Sequence, residues 1–131
     1  RGAGVDAMID RIEAAVASYP HVGEYRTWPG PNSNTFVAWV ARSVPELGVD
    51  LPPTAIGKDY LPLAAPFARA PSGTGGQLSV LGVLGVTVGL DEGVELNLLG
   101  LSLGVDVMRP ALRLPGVGRV GMTNVESARA D

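Results

Sequence analysis

The run from Leu78 to Leu90, LSVLGVLGVTVGL, decides the fold, because it reads either as a membrane-crossing helix or as strand. It is only about 13 residues long, short of the roughly 20 that cross a bilayer as helix. Within it Leu78, Val80, Leu84, Val86, Val88 and Leu90 alternate with Ser79, Gly85, Thr87 and Gly89, the period of two of a strand with one face buried. The spacing of Gly82, Gly85 and Gly89 also suits helix packing in a membrane, but strand glycines that allow a close approach fit the β-branched neighbours better. The chain therefore reads as a soluble domain, with membrane attachment only through a segment upstream of Arg1.

Outward from this run, Asp91, Glu92 and Gly93 have the length of a hairpin turn. A return strand alternates Val94, Leu96 and Leu98, then slips phase to Leu99, Leu101, Leu103, Val105 and Val107. One added residue between Leu98 and Gly100 restores a single apolar face, which predicts a β-bulge there and a two-strand pairing of Leu78–Leu90 with Val94–Val107. Arg109 to Leu114 offers a third strand, which Pro110 confines to an edge or a strand start. On the N-terminal side, Pro53, Pro62, Pro66, Pro71 and the flexible run Ser72 to Gly76 (SGTGG) mark a connecting loop.

The first third has helical spacing. Val5, Met8, Ile9, Ile12 and Val16 form an i, i+3, i+4, i+7 stripe that Pro20 ends, with Asp6 and Asp10 in the early turns where the helix dipole favours acids. A second helix is expected from Ser33 or Asn34 to about Arg42. Pro29 and Pro31 cannot lie in a helix interior, and Ser33 or the asparagines beside it can cap the first turn. The expected fold class is α+β: two N-terminal helices followed by an antiparallel β-sheet. The expected organisation is a single domain over 1–131, with a helical part at 5–48, a loop at 49–76 and the sheet at 77–121. The chain starts at Arg1 without Met and reads as a fragment of a longer protein.

Composition narrows the function. A hydrophobic content of 46% in 131 residues is enough for one core. A net charge of -3, with 10 unclustered Lys+Arg, supplies no footprint for a phosphate backbone, so nucleic acid is not an expected partner. With no Cys and one His, thiolate or multi-His metal sites and a Cys nucleophile are excluded, no clustered acids offer a hard-cation site, and no cofactor motif is present. Partners are otherwise unspecified.

Candidate chemistry centres on WPGPNSNTF, residues 28 to 36. Ser33 at a helix start has unpaired N–H donors and positive partial charge beside it, an arrangement suited to acyl transfer, although the G-x-S-x-G elbow is absent. The other reading of Ser33 is a helix cap. His21, in SYPHVGEY, is the candidate base, with a structural loop His as the alternative. Lys58, in AIGKDY, is a second candidate base if burial lowers its pKa, an effect that Asp59 opposes; otherwise it is an ion-paired or carbonyl-bound Lys. Trp28, Asn32, Asn34 and Thr35 are candidate binding residues, and Arg26 can line a groove with Trp28.

The strings YRTWPGPNSNTFVAWVARSVPELG, LPPTAIGKDY, APSGTGGQLS and GVELNLLGLSLGVD resemble the bacterial family filed as domain of unknown function 3750 (DUF3750), over nearly all of the chain from about Ile9. The resemblance names no activity. It implies that fuller members carry an upstream hydrophobic segment and a His-bearing strand, which places the parent protein at the bacterial cell envelope. Asn32 to Val37 also resembles the Asn-Cys-Glu-His-Phe-Val string of lecithin:retinol acyltransferase-like and permuted NlpC-type papain-fold proteins, with Ser33 where their nucleophilic Cys stands. That similarity implies a permuted papain-like fold lacking its N-terminal strand, and a hydrolase or acyltransferase that uses Ser33. A non-enzymatic binding or structural module using the Gly-rich sheet face is the remaining alternative.

Overall fold

The structure is a computed structural model, and it describes residues 2–108 and 110–121. Two helices, α1 (Ala3–Ala17) and α2 (Ser33–Ser43), are followed by a 3-10 turn at Pro45–Leu47. Seven strands come after it: β1 (Phe67–Arg69), β2 (Gly76–Val80), β3 (Leu84–Gly89), β4 (Gly93–Leu98), β5 (Leu101–Asp106), β6 (Ala111–Leu114) and β7 (Gly118–Gly121). Each strand pairs antiparallel with the next, in the order β1 to β7, so the sheet is a simple meander. This is the α+β arrangement that the two sequence periods predict. Among the described residues no helix is long and apolar enough to cross a membrane.

The expected pair of long strands is four shorter ones. Leu81 and Gly82 both have positive φ (53° and 70°), and Val83 N–H closes the turn on Val80 C=O at 3.0 Å. Leu99 and Gly100 repeat the pattern (55° and 88°) between Leu98 and Leu101, which face each other across the hairpin. Two left-handed residues in succession match the right-handed twist of the flanking strands, as in type I′ turns. The phase slip at Leu98 and Leu99 is therefore a tight turn and not a β-bulge. A Leu occupies the position where Asn or Asp is the usual choice, and that hid the turn in the sequence.

A second difference concerns which face is buried. Gln77, Ser79, Thr87, Glu95, Asn97, Ser102, Asp106 and Arg113 are each under 9% exposed, whereas the Val and Leu residues alternating with them are open. Along β4 the pattern runs buried at Glu95 and Asn97 and exposed at Val94, Leu96 and Leu98. The alternation is the one in the sequence, but the polar side faces in. The 49–66 segment covers much of the polar face, where Ser102 N–H bonds to Pro53 C=O, Ser79 N–H to Pro66 C=O and Leu81 N–H to Leu61 C=O, and Arg42 of α2 reaches Gln77. The buried apolar residues are correspondingly few and small, with Ala38, Ala41, Val44 and Ala70 almost fully enclosed. The 46% hydrophobic content is thus spent largely on an open surface and not on a core inside the chain.

The segment expected to be loop holds β1, and β6 begins just after Pro110. β6 is flanked by β5 and β7, so Pro110 marks a strand start and not an edge. Arg109, included in that expectation, lies outside the described residues. Helix α1 docks on α2 through Trp39 Nε1–H to Ala15 C=O at 2.8 Å, and Arg11 reaches Glu46 beyond α2. Much of its apolar stripe stays open, with Val5, Ile9 and Val16 exposed.

Candidate functional site

The WPGPNSNTF stretch folds back on itself, with cis peptide bonds at Trp28-Pro29 and Gly30-Pro31 and an Arg26 N–H bond to Pro31 C=O at 2.8 Å. This delivers Asn32, and not Ser33 or Asn34, to the cap of α2. Asn32 Oδ1 accepts from Asn34 N–H (2.9 Å) and Thr35 N–H (3.2 Å), and Thr35 Oγ1 accepts from Asn32 N–H to complete a capping box. Helix starts select Asn because its oxygen satisfies donors that the helix leaves free.

The same side chains tie this stretch to AIGKDY. Asn32 Nδ2–H donates to Thr27 C=O and Ile56 C=O, Asn34 Nδ2–H donates to Ile56 C=O, and Thr35 Oγ1–H donates to Gly57 C=O at 2.7 Å. Gly57 has φ +93°, and a Cβ there would stand 2.5 Å from the Asn32 amide. Only glycine permits that approach. Trp28 Nε1–H reaches Leu99 C=O at 2.8 Å, tying the loop to the β4–β5 turn. Asn32, Asn34, Thr35 and Trp28 are therefore occupied by contacts within the chain.

Behind this knot lies a buried ionic network on the polar sheet face. Lys58 Nζ donates to Glu95 Oε2 at 2.6 Å, and Arg113 Nη1 donates to Glu95 Oε1 at 3.2 Å and to Asp50 Oδ1 at 2.9 Å. Asp59 accepts from Gln77 Nε2 (2.9 Å) and Ser102 Oγ (3.1 Å). Burial lowers the Arg113 pKa, but Asp50, Glu95 and Asp106 outweigh it and raise it overall. A carboxylate shared by two cations and held by strand residues is a fixed structural charge pair. Nothing in the spacing of Lys58, Glu95 and Arg113 announces it, since their meeting depends on which sheet face turns inward.

Ser33 and His21 do come together, in the sense that both line one groove of about 590 Å³ with Asn32, Tyr19, Tyr25, Glu24 and Phe36. Ser33 is exposed, and its hydroxyl has no hydrogen-bond partner among the described residues. His21 is half-buried, edge-on to Tyr19 (5.6 Å) and Tyr60 (5.5 Å), and its Nδ1 is buried with no partner among the described residues. Lys58, Trp28, Asn34 and Thr35 do not line this groove. Among the described residues no group of His, Asp and Glu is placed to hold a metal ion.

Comparison with known proteins places residues 1–60 in a match to the family described as protein of unknown function (DUF3750). The matched part contains both helices, the capping loop and the AIGKDY turn, and it stops before the sheet. No curated protein and no solved structure matches the chain.

Proposed function

We propose that the chain belongs to the DUF3750 family, that residues 1–131 form one unit of a bacterial envelope protein, and that this unit is a non-enzymatic assembly module. Its partner is a second copy of itself, joined sheet to sheet. The match over residues 1–60 supports the family, and the family resemblance supports the envelope setting. The observation that carries the module reading is the open aliphatic face of β2 to β7. Apart from the half-buried Leu114, its Val and Leu side chains are exposed by between 37% for Val86 and 53% for Val88. Side chains of that size add up to on the order of 1,000 Å² of apolar surface, more than the ~800 Å² each partner brings to a standard interface. Isolated domains rarely leave a patch beyond a few hundred Å² uncovered.

The composition of the face selects the occupant. Among the described strand residues, the register puts one charge and one aromatic ring on it, Arg69 and Phe67, both on the edge strand β1. A lipid surface would be met by basic and aromatic side chains, and strands of six residues or fewer are short of the 9–11 that cross a bilayer. Flat rows of Val and Leu instead match a second such sheet, packed about 10 Å away as in a β-sandwich. Sedimentation equilibrium on the chain tests this. The expected species has twice the 13.5 kDa chain mass, and Leu96→Glu with Leu103→Glu returns it to monomer with its circular dichroism unchanged. A wild-type chain that stays monomeric at ~100 μM, or one that sediments only with vesicles, removes the reading.

One observation favours a second reading. Ser33 stands at the start of α2 and shares a groove with His21. The resemblance to permuted papain-like proteins implies a nucleophile at that helix start but puts its base on an upstream strand, so His21 would here stand in for it. A fluorophosphonate probe that labels the folded protein at Ser33, and fails on Ser33→Ala, supports acyl transfer; an unlabelled protein leaves the module reading alone.

A further inference from the structure

Between α2, the Tyr19–His21 turn and the Tyr60–Ala68 segment lies a cavity of about 330 Å³. Apart from Phe67, which the register puts on the same side as Leu78, its lining lies away from the open sheet face. Its walls are mostly ring and hydrocarbon, with Tyr19, Trp39, Tyr60, Leu61, Pro62 and Phe67 among them. Arg42 also lines it. This guanidinium donates from Nε to Arg69 C=O and from Nη2 to Lys58 C=O and Gln77 Oε1. All of those acceptors are neutral. Among the described residues no carboxylate lies within ion-pair distance of Arg42, although Lys58 and Arg113 each have two. The nearest acid through bonds is Asp59, one side chain removed behind Gln77.

Arg42 is half-buried, and a cation partly withdrawn from water among neutral partners gains from an anion that joins it. Burial lowers the Arg42 guanidinium to about 10, against the pull of Asp59 and Glu92. Arg42 Nη1 has no hydrogen-bond partner among the described residues, and His21, on the Tyr19–His21 turn, has its buried Nδ1 unpartnered among them. Two unspent polar groups in an aromatic and aliphatic enclosure are the usual composition of a small-ligand site, in which a few polar atoms orient an apolar body.

We propose that this cavity binds a small carboxylate with an apolar body, a medium-chain fatty acid or an aryl acid, whose carboxylate meets Arg42 and whose body lies among Trp39, Tyr60, Leu61 and Pro62. Guanidinium and carboxylate match in plane and charge. The volume admits a ligand near the lower end of the range for small-molecule sites.

The test uses the whole chain with octanoate and benzoate, against octanol and benzyl alcohol of similar size without the charge. Titration is followed by amide and Trp39 indole shifts. The expected result is saturable binding at about one equivalent, at least tenfold tighter for an acid than for its alcohol, with shifts at Trp39, Arg42, Tyr60 and Phe67. Arg42→Gln should erase the preference for the acid. Should that variant fail to fold, Ala65→Trp, at an exposed position of the lining, fills the cavity mouth and should weaken binding at least fivefold. The Leu96→Glu, Leu103→Glu chain should bind as the wild type does, which separates cavity binding from adsorption on the apolar sheet face. No saturation below ~10 mM acid, equal binding of acid and alcohol, or shifts confined to β2–β5 would each overturn the proposal.

Discussion

The two faces of the sheet are made by the same strands and obey opposite rules. On one face Glu95, Asp106, Arg113, Gln77 and Asn97 are buried, and on the other Leu96, Leu103, Val86 and Val105 are left half open. Neighbouring residues of β4 thus alternate between buried and exposed. Burial here follows what the covering segments bring and not hydrophobicity. Those segments bring Lys58, Asp59, Asp50 and backbone carbonyls, and these can satisfy charges but cannot profit from leucines.

The sharpest way to break this comparison is at Glu95. Glu95→Ala leaves Lys58 and Arg113 enclosed without their shared carboxylate, and the expected loss is about 3–5 kcal/mol in urea-induced unfolding. A loss under ~1 kcal/mol would mean that the polar face is wet and not a sealed network. The same contrast between a fully engaged side chain and an idle neighbour recurs at α2. Asn32→Ala removes the cap and the bonds to Thr27 and Ile56, so a loss of about 2 kcal/mol, the upper end for caps, is expected. Ser33→Ala should stay within a few tenths of that of the parent, because its hydroxyl caps nothing.

Smaller effects test the apolar face. Leu99 holds φ 55° while 65% exposed, a backbone region that Asn tolerates better than Leu. Leu99→Asn should therefore stabilise the dilute monomer by about 0.5–1 kcal/mol, read as a rise in thermal midpoint. The least change is expected for Leu96→Ser, within about ±0.5 kcal/mol for dilute protein, next door to the most sensitive position. A large loss at Leu96 in a verified monomer would show that this face is packed within the chain.

Much of the architecture was readable in the sequence, for identifiable reasons. The stripe from Val5 to Val16 and the alternation from Leu78 onward are periodicities, and periodicity survives without any knowledge of partners. Helix α2 starts where the prolines force it to, one residue after its cap. The sidedness of the sheet was not readable, because alternation fixes that two faces differ and not which one is covered. Both Leu-Gly turns were missed for lack of an Asn or Asp at the left-handed position, so the Leu99 turn passed for a bulge. Of the site residues, His21 and Ser33 share a groove, whereas the Lys58–Glu95–Arg113 network joins residues 37 and 18 positions apart that no local pattern links. Arg42 read as an ordinary basic residue near a helix end, and only its neutral partners distinguish it.

The meander has a consequence for how the molecule assembles. Every strand pairs with its sequence neighbour, so the sheet can grow hairpin by hairpin with short loops closed at each step, which is the fast kind of β-structure to form. The links between the two halves span long separations instead: Trp28 to Leu99, and Asp50 to Arg113. Docking of the helical half onto a preformed ribbon should then be the late event, with Glu95→Gln chiefly accelerating unfolding and substitutions in the β3–β4 hairpin slowing folding in stopped-flow chevrons. Until that docking, both sides of the ribbon meet water, and the leucine side can stick to other chains as it emerges. A chain built this way would gain from meeting its own copy early in synthesis.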